Sequence, residues 1–224
     1  MPHNYSNPRS DFPVSVESPG HECLWLLHIP GNAGGSIRKV IGQFGGNHRS
    51  FHHHTASKML QVFEYARSKQ LFAIIRDPVD RALKAWAWCS KPKTWGPLVS
   101  DEEASVYSTL FGASDPSLFF ESVDFNALTK ICHHFTPQVD YLDAPNIELI
   151  SFEDLQEGLD RLVDQYGGSR VMLPTKPEHA SGRPSSDSLS PLAKSRILDF
   201  YSRDSDLHRE IFRTFLTARE YASI

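Results

Sequence analysis

This sequence is poor in cysteine and has no long apolar run. Its three cysteines, Cys23, Cys89 and Cys132, show no CxxC spacing and are odd in number. That argues against a disulfide framework and for a reducing compartment. No apolar stretch approaches the roughly 20 residues that span a bilayer. The first 22 residues are polar and proline-bearing, without the apolar core of a secretory signal. A cytoplasmic protein with no membrane partner is expected. Strong net charge is also missing: the balance is −4, which gives no general pull toward nucleic acid. The Walker pattern GxxxxGK[ST] is absent, which excludes that type of phosphate loop. What remains is ordinary globular composition, 40% hydrophobic and 22% charged, in 224 residues, enough for one domain with a full core.

Residues 1–21 carry Pro2, Pro8, Pro13 and Pro19 and read as a flexible arm, leaving 22–224 as a single domain. The apolar runs at 23–29 (CLWLLHI) and 71–75 (LFAII) suit strands buried on both faces of a parallel sheet. Ile37, Val40, Ile41 and Phe44 mark an amphipathic helix that Gly45-Gly46-Asn47 should end. A second helix is expected over 57–69, and a third starts near Pro78, a good first-turn residue. Residues 90–116 read as an irregular insertion, 117–134 as one helix and 147–150 as a strand. Ser151 is a candidate cap for a helix that Gly167-Gly168 ends. A loop at 174–191 precedes a helix capped by Ser190, with an apolar face of Leu192, Ile197, Phe200 and Tyr201, and a last helix over 205–221. Strands alternating with helices imply an α/β fold with a central, mostly parallel sheet flanked by helices.

Two stretches carry chemistry. LLHIPGNAGGSI is a strand, a glycine-rich turn and a helix start. Backbone N–H groups of Gly34, Gly35 and Ser36 could there face an anion. The same pattern also serves as a tight turn with no ligand. RDPVDRALK follows the next strand and holds Arg76, Arg81 and Lys84 within nine residues. These cations could hold a phosphate or simply form a solvated basic helix start.

Together the two stretches resemble the PAPS-dependent sulfotransferases, in particular the carbohydrate sulfotransferase branch that includes heparan-sulfate 2-O-type enzymes and bacterial members. LLHIPGNAGGSI resembles the family's 5′-phosphosulfate loop, and IIRDPVDRALKAW its 3′-phosphate motif. FHHHTA at 51–56 resembles the segment that carries a histidine base. PQVDYL at 137–142, FEDL at 152–155 and YSRDSDL at 201–207 resemble three further family stretches, in the expected order. The resemblance spans roughly residues 22–212. It implies a P-loop-like three-layer fold, PAPS (3′-phosphoadenosine 5′-phosphosulfate) as donor and PAP (the 3′,5′-bisphosphate) as product. It implies no metal. The acceptor would be a hydroxyl on a saccharide or small molecule, attacking sulfur in line.

By the same resemblance, Gly31, Asn32, Ala33, Gly34, Gly35, Ser36 and Ile37 line the 5′ end of the donor. Arg76, Arg81 and Lys84 hold its 3′-phosphate. Ser181 and Arg183 belong to a loop over the adenosine. His54, with His52 as a second candidate, is the base. Two positions depart from the family: Gly31 replaces its loop lysine and Lys84 replaces a phosphate-binding serine. Losing one transition-state donor typically costs about 10²–10³ in rate. A non-catalytic binder of the same fold is therefore the competing expectation. The run His52-His53-His54 also admits a bland surface reading. As a metal set it is disfavoured, since consecutive side chains point in different directions. His133 and His134 receive no catalytic role. Trp86, Trp88 and Trp95 either stack on an acceptor or pack.

Overall fold

Apolar runs make the sheet. In the computed structural model, which describes residues 24–41, 46–47, 53–63, 67–90, 108–111, 115–173 and 184–222, the main strands are Leu24–Leu27 (β1), Gln70–Ile75 (β3) and Ile147–Ser151 (β4). Gly46–Asn47 (β2) adds a two-residue edge. The order is β2-β1-β3-β4 and every neighbouring pair is parallel. Leu26 sits opposite Phe72, and Ala73 opposite Leu149.

Helices cover both faces of the sheet. Gly34–Val40 (α1) and Leu155–Tyr166 (α6) place Ile37, Val40, Leu159, Leu162 and Val163 on Leu24, Leu26, Phe72, Ile74 and Ile150. On the other face, Ala56–Val62 (α2) and Ser202–Ala222 (α8) bring Ala56, Met59, Leu207 and Ile211 to Trp25, Leu27, Leu71, Ala73 and Ile75. A third apolar cluster joins Pro78–Cys89 (α3), Pro116–Ser122 (α4), Phe125–Ile131 (α5) and Pro191–Phe200 (α7). Its centre is aromatic: Phe111 stacks on Phe135 and Phe125 on Phe200. Cys89 and Cys132 meet inside it with free thiols 3.6 Å apart. Among the described residues, no helix is long and apolar enough to cross a membrane.

Several ends follow from local chemistry. Asp77 caps α3 by accepting from the Val79 and Asp80 amides, with Pro78 in the first turn. Ser190 caps α7 through the Ala193 amide. Gly167, at φ 87°, ends α6 where a side chain would be strained.

Other expectations need correction. The helix expected over 117–134 is broken. Val123 and Asp124 are extended, and Asp124 caps a new helix through the Asn126 and Ala127 amides. A short 3₁₀ turn at His133–Phe135 follows. Gly46 and Asn47 do not terminate a helix but pair with Leu24 and Trp25 as β2. The second helix stops at Val62, because Phe63 leaves helical geometry and lays its ring 5.4 Å from Trp25. Ser151 is not the cap of the following helix, whose cap position is Asp154; it ends β4, accepts from the Glu153 amide at 3.2 Å and donates its hydroxyl to the Glu153 carboxylate. In α7 the buried face is Ala193 and Ile197, while Leu192 is 57% exposed. The expected arm at 1–21, Trp95 and most of the 174–191 loop lie outside the described residues.

Helix α6 packs closely on the sheet at Gly158, where a Cβ would fall 2.2 Å from Cγ2 of Ile150. That methyl is β-branched and cannot swing away. Gly158→Ala should therefore destabilise by about 1–3 kcal/mol in urea denaturation. Adding Ile150→Ala should make the two effects clearly non-additive. Simple additivity would show that α6 does not rest on β4 at this point.

Candidate functional site

The candidate site gathers at the C-terminal ends of β1 and β3, where ligands collect in open parallel sheets. After β1 the chain passes through Gly31 at φ 86° and Ala33 at φ 57° before α1 begins. A Cβ on Gly31 would meet Arg81 Cγ at 3.4 Å and Lys84 Cγ at 3.9 Å. A Cβ on Gly34 would lie 1.8 Å from Nε2 of His28, so the imidazole rests directly on that glycine. Gly35 is exposed with open space above it. Of the amides expected to face an anion, that of Ser36 already donates to the Ala33 carbonyl at 2.9 Å, as does Ile37 at 3.0 Å. Ile37 itself is fully buried in the sheet core.

Behind the loop lies a buried amide network. Asn32, 2% exposed, turns inward and donates Nδ2 to the Ile74 carbonyl at 2.6 Å and to Gln138 Oε1 at 2.5 Å. Gln138, fully buried, accepts from the Arg76 amide at 3.0 Å and donates Nε2 to the Arg76 carbonyl at 2.9 Å. The Gln138 and Val139 amides donate to the two oxygens of Asp204 at 2.8 and 3.0 Å. Burial pushes the Asp204 carboxyl up, while those amides and the nearby Arg81 charge oppose that rise. Loop, strand end, the 3₁₀ turn at Gln138–Tyr141 and α8 are thus tied by one set of bonds.

The three expected cations take different places. Arg76 is half-buried at the mouth, donates Nη1 to the Gly31 carbonyl at 3.2 Å and lies 4.2 Å over the Phe152 ring. Arg81 is 1% exposed. Its Nε donates to the Pro30 carbonyl at 3.1 Å, and its Nη2 to the His134 and Thr136 carbonyls at 3.3 and 2.7 Å. These donors face backbone rather than the mouth, so Arg81 braces the loop from below. Lys84 is half-buried one turn further along α3, its stem beside Gly31.

Sequence reading missed the histidine cluster. His28, His53, His133 and His134 come from three separate segments and pack as a group. Ring centroids lie 4.8 Å apart for His28–His53, 4.7 Å for His53–His133 and 4.6 Å for His133–His134. His53 Nδ1 and His133 Nε2 share a hydrogen bond of 2.8 Å. His134 stacks on Trp88 at 4.3 Å. Burial holds His134 well below the ordinary imidazole range, helped by the charges of His133, Arg81, His28 and Lys84. It is therefore neutral near pH 7. His54 is half-buried beside this group in sequence. His52, Ser181 and Arg183 lie outside the described residues.

No protein-family model matches the chain, and neither does any curated protein or solved structure. The site must therefore be read from its own chemistry. It offers a glycine-built turn, the cations Arg76 and Lys84, and several imidazoles at one sheet edge. Such a set suits an anionic ligand.

Glu153 closes the site from the β4 side. It accepts from Ser151 Oγ at 2.6 Å and contacts His208 Nε2 at 3.1 Å. Burial works to raise the Glu153 carboxyl, but bonds from His208, Ser151 and the backbone outweigh it and hold it at about 2. The bond to Glu153 raises His208, against burial. The Glu153 contribution is complete above the ordinary 4.5 and fades as pH falls toward about 2. The His208 contribution is complete below the ordinary 6.5 and fades as pH rises through its elevated value. The pair should stabilise most between those ordinary values. Urea midpoints of the wild type and His208→Ala should differ most near pH 6 and converge toward pH 9. A gap independent of pH would contradict the pairing. Separately, Gly31→Lys should lose about 1–2 kcal/mol, because a left-handed backbone is costly for L side chains. Gly31→Asn should lose less in the same denaturation, since asparagine tolerates that region.

Proposed function

We propose that the chain is a PAPS-dependent sulfotransferase with a P-loop-like fold. One observation carries the reading. Residues from four of the quoted motifs, Asn32, Arg76, Gln138 and Asp204, meet in a single buried network at the C-terminal sheet edge. That network places the glycine loop beside Arg76 and Lys84. In this reading the turn from Gly31 to Gly35 cradles the 5′-phosphosulfate, Asn32 and Ile37 hold that turn from inside, and Arg76 and Lys84 neutralise the phosphates. Arg81 holds the loop in shape. Ser181 and Arg183 approach the adenosine end. The acceptor oxygen attacks sulfur in line, the bond from sulfur to the 5′-phosphate oxygen breaks, and His54 or His52 takes the acceptor proton.

Gly31 favours a second reading, a non-catalytic PAP or glycan binder. The loop backbone at Gly31 has a left-handed φ, so it is shaped for glycine rather than for the lysine that the family carries. Against this, the Lys84 stem passes the same spot, 3.9 Å from a Cβ at position 31. In the enzyme reading Lys84, from α3, is the residue assigned to supply the cation that the loop lacks.

Calorimetry with PAP and with 5′-AMP tests the donor site. Micromolar binding that needs the 3′-phosphate is expected, weakened about 10- to 100-fold in Arg76→Gln. Sulfate release from labelled PAPS then separates the readings. Release that falls about 10²–10⁴-fold in His54→Ala, with PAP binding kept, supports the enzyme. Binding without release supports the second reading. No PAP binding overturns both as donor-site proposals.

A further inference from the structure

The histidine cluster has a use that the sulfotransferase reading does not require. A ring nitrogen from each of His53, His133 and His134 lies within 4.8 Å of the other two. We propose that these three histidines form a binding site for a divalent transition-metal ion of the zinc class.

Zinc sits about 2.0–2.1 Å from imidazole nitrogen in tetrahedral sites, which puts ligand nitrogens roughly 3.4 Å apart. His53 Nδ1 and His133 Nε2 lie 2.8 Å apart, and one nitrogen of each of the three rings lies within 4.8 Å of the others. Rotation of the side chains toward a common centre would complete the site. The backbone of two ligands is already fixed. Tyr141 Oη donates to the His133 carbonyl at 3.0 Å, and Arg81 Nη2 to the His134 carbonyl at 3.3 Å. Trp88 fixes the plane of the His134 ring by stacking. These contacts hold the backbone of two ligands and the ring plane of one before any ion arrives. Three imidazoles leave a fourth position open for water or another ligand, and nitrogen donors select zinc, copper, nickel or cobalt over magnesium or calcium.

The proton balance is simple. Each imidazole binds the ion in its neutral form, so the proton in the His53–His133 bond moves to the other nitrogen of its own ring or, from a charged ring, to solvent. The cations Arg81 and Lys84 lie near His134 and oppose a second cation. Affinity should therefore be moderate rather than that of a structural zinc site.

The test is metal titration of the full-length, chelator-treated protein: Zn²⁺ by calorimetry and Co²⁺ by visible absorption. The expected result is one ion per chain at micromolar affinity, with the intense visible bands of four-coordinate cobalt. His133→Ala alters an exposed residue, and His53→Ala gives an independent second variant; each should weaken binding about 100-fold or more. His208→Ala, outside the cluster, should bind as the wild type does. Circular dichroism on each variant reports folding. Absence of binding at millimolar Zn²⁺ would overturn the proposal, as would binding that survives both cluster variants. A thiolate-to-cobalt charge-transfer band would assign the ion to cysteine instead and overturn it equally. PAP binding and sulfate release do not enter this test, so the two proposals fail separately.

Discussion

The carboxamide of Gln138 is the constraint on which the site depends. It is fully buried, and it satisfies both backbone polar groups of Arg76 while accepting from Asn32. Arg76 stands just past the last residue of β3, where the ladder ends and its amide and carbonyl lose their strand partners. An unpaired buried amide costs about 1–3 kcal/mol. One side chain removes that cost at two groups and ties the glycine loop to the strand end at the same time. The Gln138 main-chain amide is itself held by Asp204, so α8 sets the position of the carboxamide. Geometry at the mouth is therefore decided by residues that never face it.

Arg81 shows how charge is used in such an interior. Removing a guanidinium from water is expensive unless its donors are satisfied. Here they meet the carbonyls of Pro30, His134 and Thr136, and the charge acts on buried Asp204. The same residue thus fixes the floor of the loop and the turn that carries His133 and His134. Arg76 and Lys84 are left as the half-buried cations of the mouth. Like charges so close together favour an anion, and they add to the burial that keeps His134 neutral. That combination is what the proposed donor site would need, and it would limit the affinity of the proposed metal site.

Much of the framework was legible in the sequence. Leu24–Leu27 and Leu71–Ile75 are continuous apolar runs, and a strand buried on both faces has no other pattern. Asp77-Pro78, Ser190-Pro191 and Gly167-Gly168 act within a few residues of themselves, so caps and stops could be read locally. Where two local signals compete, reading fails. Asp124 offers a cap in the middle of an apolar periodic stretch, and the cap wins. Ser151 looks like a cap, but the strand register carries it one residue too far, and its hydroxyl turns to Glu153.

The site divides along the same line. The glycine loop and the basic motif are short-range patterns, and the sequence alone determined that a turn follows β1 and that cations follow β3. Which cation faces outward was not determined there, because Arg81 and Lys84 differ only in what packs above them. Nor could the sequence assemble His28, His53, His133 and His134, which lie as much as 106 positions apart. Local pattern fixes dihedrals and caps over a few residues. Burial, charge environment and the meeting of side chains from distant segments are properties of packing, and only the tertiary structure decides them.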